Sequence, residues 1–276
     1  MRYEILGPIR LIDRGDEFRL SSAKADVLLA TLAIRTGQVV PTSQLLTELW
    51  PEASPVQAAG AVHVYISQLR KLIRRPGSST SVIKTCSPGY VLQTTSDEFD
   101  FLEFWEGMRR GRELLQAGAA LEAADVLDEA INHWRGTSAL GGLRGGPVVD
   151  GFAAWIEESR LECLELRIEA NLIAQRHRLT VSDLYSLVAE YPLRESLYRL
   201  LMLALYFSDR QVDALSVYQT ARAVVREELG VEPCQSLRDL QHAILAEDPD
   251  LRSALTQRPG AGPAARAGQH PAARRS

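Results

Sequence analysis

Residues 54–92 constrain this chain more than any other stretch. SPVQAAGAVHVYISQLRKLIRR is followed, after a short polar break, by SVIKTCSPGYVL. At 100° per residue, Val62, Ile66, Leu69 and Ile73 fall within about 60° of one another and form a stripe that must face a core. Gly60, His63, Val64, Ser67, Gln68, Lys71, Arg74 and Arg75 lie on the opposite face, with Tyr65 and Arg70 on the flanks. Ser54 is placed as N-cap, Pro55 as first helical residue and Gln57 as the returning partner of a capping box. Ser81–Cys86 and Tyr90–Thr94 are β-prone runs joined by a Ser87-Pro88-Gly89 turn.

What precedes the helix fits it. VVPTSQLLTELW, residues 39–50, reads as a short helix with Thr42 or Ser43 as cap and Leu45, Leu46, Leu49 and Trp50 inward. Pro51–Ala53 is the right length for the turn of a helix-turn-helix. Residues 21–37 predict a first helix ending at Gly37, and residues 2–20 alternate like strands around Gly7-Pro8 and Arg14-Gly15-Asp16. Sheet, three helices and hairpin in that order predict a winged helix-turn-helix.

The helix alone reads equally as an ordinary amphipathic surface helix with a solvated charged side, but in this context its polar face suits a major groove, which admits one α-helix. Gln68 suits adenine N6 and N7, and Val64 suits a thymine methyl. Lys71, Arg74 and Arg75 suit phosphates, which set register rather than sequence. Thr42, Ser43 and Gln44 offer side chains and backbone N–H groups to another phosphate. Lys84, Thr85 and Ser87 stand at the hairpin. Tyr90 is expected to pack against the helix rather than to stack on DNA. With His63, Tyr65, Ser67 and Arg70, these are the candidate DNA-binding residues.

Charge divides the chain the same way. Residues 1–96 carry 11 Lys and Arg against 7 Asp and Glu, whereas residues 97–250 carry 15 against 28. A basic head on an acidic body suits a DNA module joined to one that does something else. No run approaches eighteen apolar residues, so no transmembrane span is expected, and the N-terminus has no signal-peptide core. Three scattered cysteines point to a reducing cytoplasm and make no zinc spacing. No cofactor or metal is expected, and the scattered histidines have no catalytic partner in sequence.

Beyond Phe101 helical periodicity takes over. Residues 197–225 read as a helical hairpin with Tyr198, Leu201, Met202 and Leu205 inward on one helix and Ala214, Tyr218 and Ala221 on the other, the spacing of the tetratricopeptide repeat. A pair at about 107–134 repeats the offsets with Gly111, Leu114, Ala123, Leu127 and Ala130, and a weaker pair spans about 153–192. The glycine-rich GTSALGGLRGGPVVDG, residues 136–151, is expected to be a flexible loop between hairpins, and residues 251–276 a disordered tail. The expected domains are therefore 1–96, 97–250 and that tail. The fold class is mainly α with a small β part: an N-terminal winged helix-turn-helix followed by an all-α tetratricopeptide-like domain.

AVHVYISQLRKLI with KTCSPGYVL resembles the OmpR/PhoB-type winged helix. HWRG (133–136), YPLRESLYRLLMLALYFSDRQVDAL (191–215) and REELGVEPCQSLRDLQHAIL (226–245) extend the likeness to the SARP family, the Streptomyces antibiotic regulatory proteins. Its second half is the bacterial transcriptional activation domain. The resemblance implies a transcriptional activator for a secondary-metabolite (antibiotic) gene cluster. It would bind tandem direct repeats near the promoter −35 region as a side-by-side homodimer on double-stranded DNA. It would recruit RNA polymerase holoenzyme through sigma region 4 and core subunits, and work in the cytoplasm at the nucleoid. Trp50, Glu52, Ser54 and Val56 are the implied polymerase-facing loop, although burial at the helix end serves Trp50 equally well. Many relatives carry arginine at the place of Gln68, which would shift that base from adenine to guanine. The rival readings are a tetratricopeptide scaffold with a non-reading winged helix, an enzyme, for which no motif speaks, and a repressor.

Overall fold

A computed structural model describes residues 1–20, 22–52, 55, 58–73, 81–94 and 97–251. The chain gathers into two compact units. The first holds Met1–Glu106 and Ala130–Arg160, and the second holds Gly107–Glu129 together with the described residues from Leu161 onward. The packing units thus do not follow the expected sequence division at residue 96.

In the first unit, β1 (Arg2–Glu4), β2 (Arg10–Asp13), β3 (Asp16–Phe18) and β7 (Glu98–Phe99) form a sheet of order β3-β2-β1-β7. Arg14 and Gly15 connect β2 to β3 with φ of 52° and 95°. Two consecutive residues at positive φ match the right-handed twist of a tight hairpin, and glycine takes the second without steric cost. β7 lies parallel to β1, with Tyr3 opposite Phe99 and their rings stacked 4.8 Å apart. Two residues are too short a strand to leave an alternating signal in the sequence.

In the same unit, α1 (Ala23–Ile34), α2 (Thr42–Leu49) and α3 (Ala58–Leu72) pack on one another. α1 is apolar almost all round and correspondingly central. Its N-cap is Ser22, whose Oγ accepts from the Ala25 N–H at 3.3 Å. The stripe foreseen on α3 is the buried one: Val62, Ile66, Leu69 and Ile73 are all within the core. Each contributes about 1.5–3 kcal/mol by leaving water. β4 (Val40–Pro41), β6 (Gly89–Leu92) and β5 (Ile83–Cys86) make the second sheet in that order. At Gly89 a Cβ would lie 1.9 Å from the Val40 carbonyl oxygen, so only glycine allows β6 to close on β4.

The segment expected to be a flexible loop is instead built into this unit. Arg135 N–H donates to Leu6 O and Leu140 N–H to Ile5 O, both at 2.8 Å, and Ala139 and Leu140 are buried in a short 3₁₀ turn, Ala139–Gly142. The glycines serve close approach rather than freedom: a Cβ on Gly146 would stand 2.8 Å from Glu48 Cα. α6 (Pro147–Ile173) then begins against α2. The buried Glu48 carboxylate accepts from Val148 N–H at 2.9 Å and Val149 N–H at 3.1 Å, filling two donors that a helix start leaves open. A second clamp is Asp100, which opens α4 (Asp100–Gln116) and accepts from Ile5 and Leu6 N–H groups at 2.8–3.0 Å. Burial pushes its pKa up, against the pull of those donors and of Arg135. In the HWRG motif, Arg135 pairs with Glu4 at 3.0 Å, and Trp134 meets the edge of Phe104 and the guanidinium of Arg160.

The second unit is all helix: the later part of α4, the first turns of α5 (Ala120–Ile131), the rest of α6, α7 (His177–Glu190), α8 (Glu195–Tyr206), α9 (Gln211–Leu229) and α10 (Gln235–Leu245). α8 packs between α7 and α9. Tyr198, Leu201, Met202, Leu205, Ala214, Tyr218 and Ala221 are buried there, as the repeat spacing foretold. A Cβ on Gly111 would stand 2.4 Å from Leu127 Cγ, which marks the close crossing of α4 and α5. Arg167 of α6 bridges Asp128 of α5 and Asp183 of α7 at 3.0 and 2.7 Å. No helix among the described residues is long and apolar enough to cross a membrane.

Candidate nucleic-acid interface

α3 owes its two faces to its sequence period. His63, Val64, Ser67, Gln68 and Lys71 are exposed together, and Tyr65 and Arg70 are half-buried on the flanks. Val64, at 55% exposure, is an apolar side chain held in solvent among polar neighbours. Arg70 and Lys71 stand in the last turn, where the helix dipole favours cations. The described part of the helix begins at Ala58, whose N–H donates to Pro55 O at 3.0 Å. The expected caps Ser54 and Gln57, and the candidates Val56, Arg74 and Arg75, lie outside the described residues, as does nearly all of the expected tail.

The hairpin β5–β6 is tied to α3 through Arg70 and Tyr90. Arg70 Nε donates to Ile83 O at 3.0 Å, its Nη2 donates to Thr85 Oγ1 at 2.8 Å, and its guanidinium lies 5.8 Å from the centre of the Tyr90 ring. Tyr90 is buried, and its hydroxyl lies 2.6 Å from His63 Nδ1. Tyr90 therefore packs on the helix, as expected. Arg70 and Thr85, both candidate DNA ligands, are already bonded to each other. Lys84 and Ser87 are exposed on the hairpin, and Cys86 is a half-buried free thiol. Neither Lys71 nor Lys84 pairs with a carboxylate among the described residues.

α2 is capped differently from expectation. Thr42 is its first helical residue, Pro41 stands at the cap position, and neither Thr42 nor Ser43 caps it by side chain. A proline has no side-chain oxygen, so the hairpin supplies the acceptor: Thr42 N–H and Oγ1 both donate to Pro88 O, at 3.1 and 3.2 Å. Ser43 is exposed and Gln44 half-buried. At the other end of α2, Trp50 is half-buried under the ammonium of Lys24, 5.5 Å from its ring centre, and Glu52 is exposed. Sequence reasoning missed Glu48 and the Pro88 carbonyl. Both act on residues far along the chain, and neither leaves a periodic trace.

The geometry is a helix that turns His63, Val64, Ser67 and Gln68 to solvent, with Arg70 and Lys71 in its last turn and a hairpin fixed beside it. Residues 99–245 match the family described as bacterial transcriptional activator domain, and residues 15–92 the family described as transcriptional regulatory protein, C terminal. The chain is 36% identical over 252 residues to the regulatory protein AfsR of Streptomyces coelicolor, aligning 91% of this chain with 25% of that one. It therefore spans about a quarter of AfsR. It is 33% identical over 257 residues to the regulatory protein DnrI of Streptomyces peucetius, covering 91% of this chain and 94% of that one. Among solved structures, Mycobacterium tuberculosis EmbR in complex with a low affinity phosphopeptide aligns with a TM-score of 0.85 at 30% identity, covering 92% of this chain and 68% of that chain.

Proposed function

The chain belongs to the SARP family, which joins an OmpR/PhoB-type winged helix to a bacterial transcriptional activator domain, and from that membership we propose that it is a sequence-specific DNA-binding transcriptional activator. The observation that carries the reading is the exposed face of α3, where His63, Val64, Ser67, Gln68 and Lys71 face solvent together beside a pinned hairpin. In this reading Gln68 takes adenine, Val64 a thymine methyl, and Lys71 with Arg74 and Arg75 the phosphates. Ser43, Gln44, Tyr65, Lys84 and Ser87 border the same strip of DNA.

Residues 1–96 read the promoter, and residues 97–250 serve activation. Two copies lie side by side on tandem direct repeats near the −35 region. They recruit RNA polymerase through sigma region 4 and core subunits, with Trp50–Val56 as the facing loop. The genes switched on are those of a secondary-metabolite cluster, and the protein works in the cytoplasm at the nucleoid.

The test is a selection from random double-stranded DNA with the full chain at fixed, near-physiological salt. Two direct repeats about one helical turn apart, roughly 10 bp centre to centre, are expected. Salt-sensitive binding with no enriched sequence would sink the reading and leave a protein scaffold in its place. Run-off transcription from the selected site must rise on adding the chain. A fall would make it a repressor.

A further inference from the structure

His63 belongs to the exposed face of α3, yet one of its ring nitrogens is already committed. Nδ1 lies 2.6 Å from the Tyr90 hydroxyl, and the two rings meet edge-on with centroids 6.1 Å apart at 74°. Arg70 covers the Tyr90 ring, its guanidinium 5.8 Å from the centre. A separation of 2.6 Å lies within the range of an O–H donor and short of that of an N–H donor, which favours the phenol O–H as the donor. Nδ1 is then the acceptor, and the imidazole carries its hydrogen on Nε2. The two ring nitrogens point to diverging sides, so Nε2–H is the group left for the outside.

We propose that Tyr90 is a positioning residue that holds His63 as an Nε2–H donor toward a hydrogen-bond acceptor on DNA. The proposal rests on the DNA-reading assignment above and adds the direction of one bond to it. An imidazole free to change tautomer takes either a donor or an acceptor. Held by Tyr90, it takes guanine O6 or N7, adenine N7, thymine O4 or a phosphate oxygen, and it rejects the amino groups of cytosine and adenine.

One arm of the test needs no DNA. In the full chain labelled with ¹⁵N-histidine, two-bond proton–nitrogen correlations report the tautomer of each imidazole. His63, identified by its loss in His63→Gln, is expected as the Nε2–H form in the wild type and as a mixture in Tyr90→Phe. Hydrogen on Nδ1 in the wild type, or no change in Tyr90→Phe, overturns the proposal. Tyr90→Phe keeps the packed ring, and a thermal melt checks that it folds.

The second arm uses the selected operator. Tyr90→Phe is expected to weaken binding about twofold to tenfold, the range of one net hydrogen bond. His63→Ala should do the same, and the double variant should bind no worse than His63→Ala alone, because the hydroxyl acts only through the ring. His63→Gln, which puts an N–H near the place of Nε2, should recover more binding than His63→Asn. Additive losses, or equal behaviour of the Gln and Asn variants, overturn the proposal. A changed preference at one base pair supports it with a base edge as acceptor. A uniform loss with a flatter salt dependence supports it with a phosphate. If the wild type selects no sequence, the DNA reading has failed, and the first arm still decides the tautomer.

Discussion

Lys71→Ala and Gln68→Ala should separate the two kinds of contact that α3 is assigned. The residues are three apart on the same exposed face, and neither is part of the core. Lys71 is exposed, and in the proposed reading its effect on DNA runs through a phosphate. Removing one phosphate contact lowers the slope of log K against log salt by about 0.9. Between 50 and 200 mM salt, a fourfold change, the wild type should then weaken about 3.5-fold more than Lys71→Ala. The variant should bind less well to every sequence alike. Gln68 makes no net charge contact, and a bidentate pair to adenine discriminates by about 1–3 kcal/mol. That is roughly fivefold to 150-fold at one base pair, with the salt slope unchanged. Fluorescence anisotropy on the selected operator and on its single base-pair variants, at four salt concentrations, measures both quantities. If the two variants lose the same affinity across all operators with the same slope, the assignment of this helix face is wrong.

Glu48→Ala leaves the Val148 and Val149 N–H groups without their acceptor in a buried site, which should cost about 1–3 kcal/mol. The melting temperature should fall by roughly 2–4 °C for each kcal/mol, and an unchanged melt would remove Glu48 as the clamp. Gly89→Ala forces a Cβ to within 1.9 Å of Val40 O, so β6 must leave β4. Stability should fall by more than about 1–3 kcal/mol, and operator affinity should fall with it; normal binding would show that the β4 pairing does not hold the hairpin. Arg70→Lys keeps the charge but loses the fork that reaches Ile83 and Thr85 at once. Operator affinity should drop with the salt slope intact, whereas unchanged affinity would show that the fork does not hold the hairpin for binding. Burial pushes Asp26 from the ordinary 3.8 up to about 6. The folded chain therefore keeps that proton longer than the unfolded chain, and stability falls as pH rises through this window. Asp26→Asn should stabilise at about pH 8 and much less at about pH 4, by on the order of 1 kcal/mol because the carboxyl is only half-buried. An equal effect at both would acquit Asp26.

The core of α3 was legible because four residues at helical spacing can share one face in only one way. For the same reason its outward face was legible down to the flanking positions of Tyr65 and Arg70. The hidden parts are those where a residue acts at long range through a polar atom. Nothing in TSQLLTEL says that its glutamate caps a helix a hundred residues later. Nothing in DEFD says that Asp100 holds the backbone of Ile5 and Leu6. The glycines of 136–151 misled in a different way. Composition cannot distinguish a glycine needed for freedom from one needed for contact, and Gly146 against Glu48 is of the second kind. Thr42 misled because a threonine before an apolar run looks like a cap, while the actual acceptor is a carbonyl on the hairpin.

Arg70, Thr85 and Thr42 are candidate DNA ligands by residue type, and each spends polar atoms on the contact between the hairpin and the helices. What remains outward on the helix is mostly neutral and short: His63, Val64, Ser67 and Gln68, with Lys71 at the end. This division has a physical logic. A guanidinium engages a carbonyl, a hydroxyl and an aromatic face at once, which an ammonium cannot do. Arg70 is therefore the residue best able to fix the hairpin against the helix before DNA arrives. A hairpin left free would have to be ordered on binding, and that ordering subtracts from affinity. In the proposed reading, contacts from Lys71 and Lys84 would then add to binding without that penalty, and discrimination would be left to groups whose hydrogen-bonding sense is set by their chemistry: a glutamine amide, a methyl surface and an imidazole held in one tautomer.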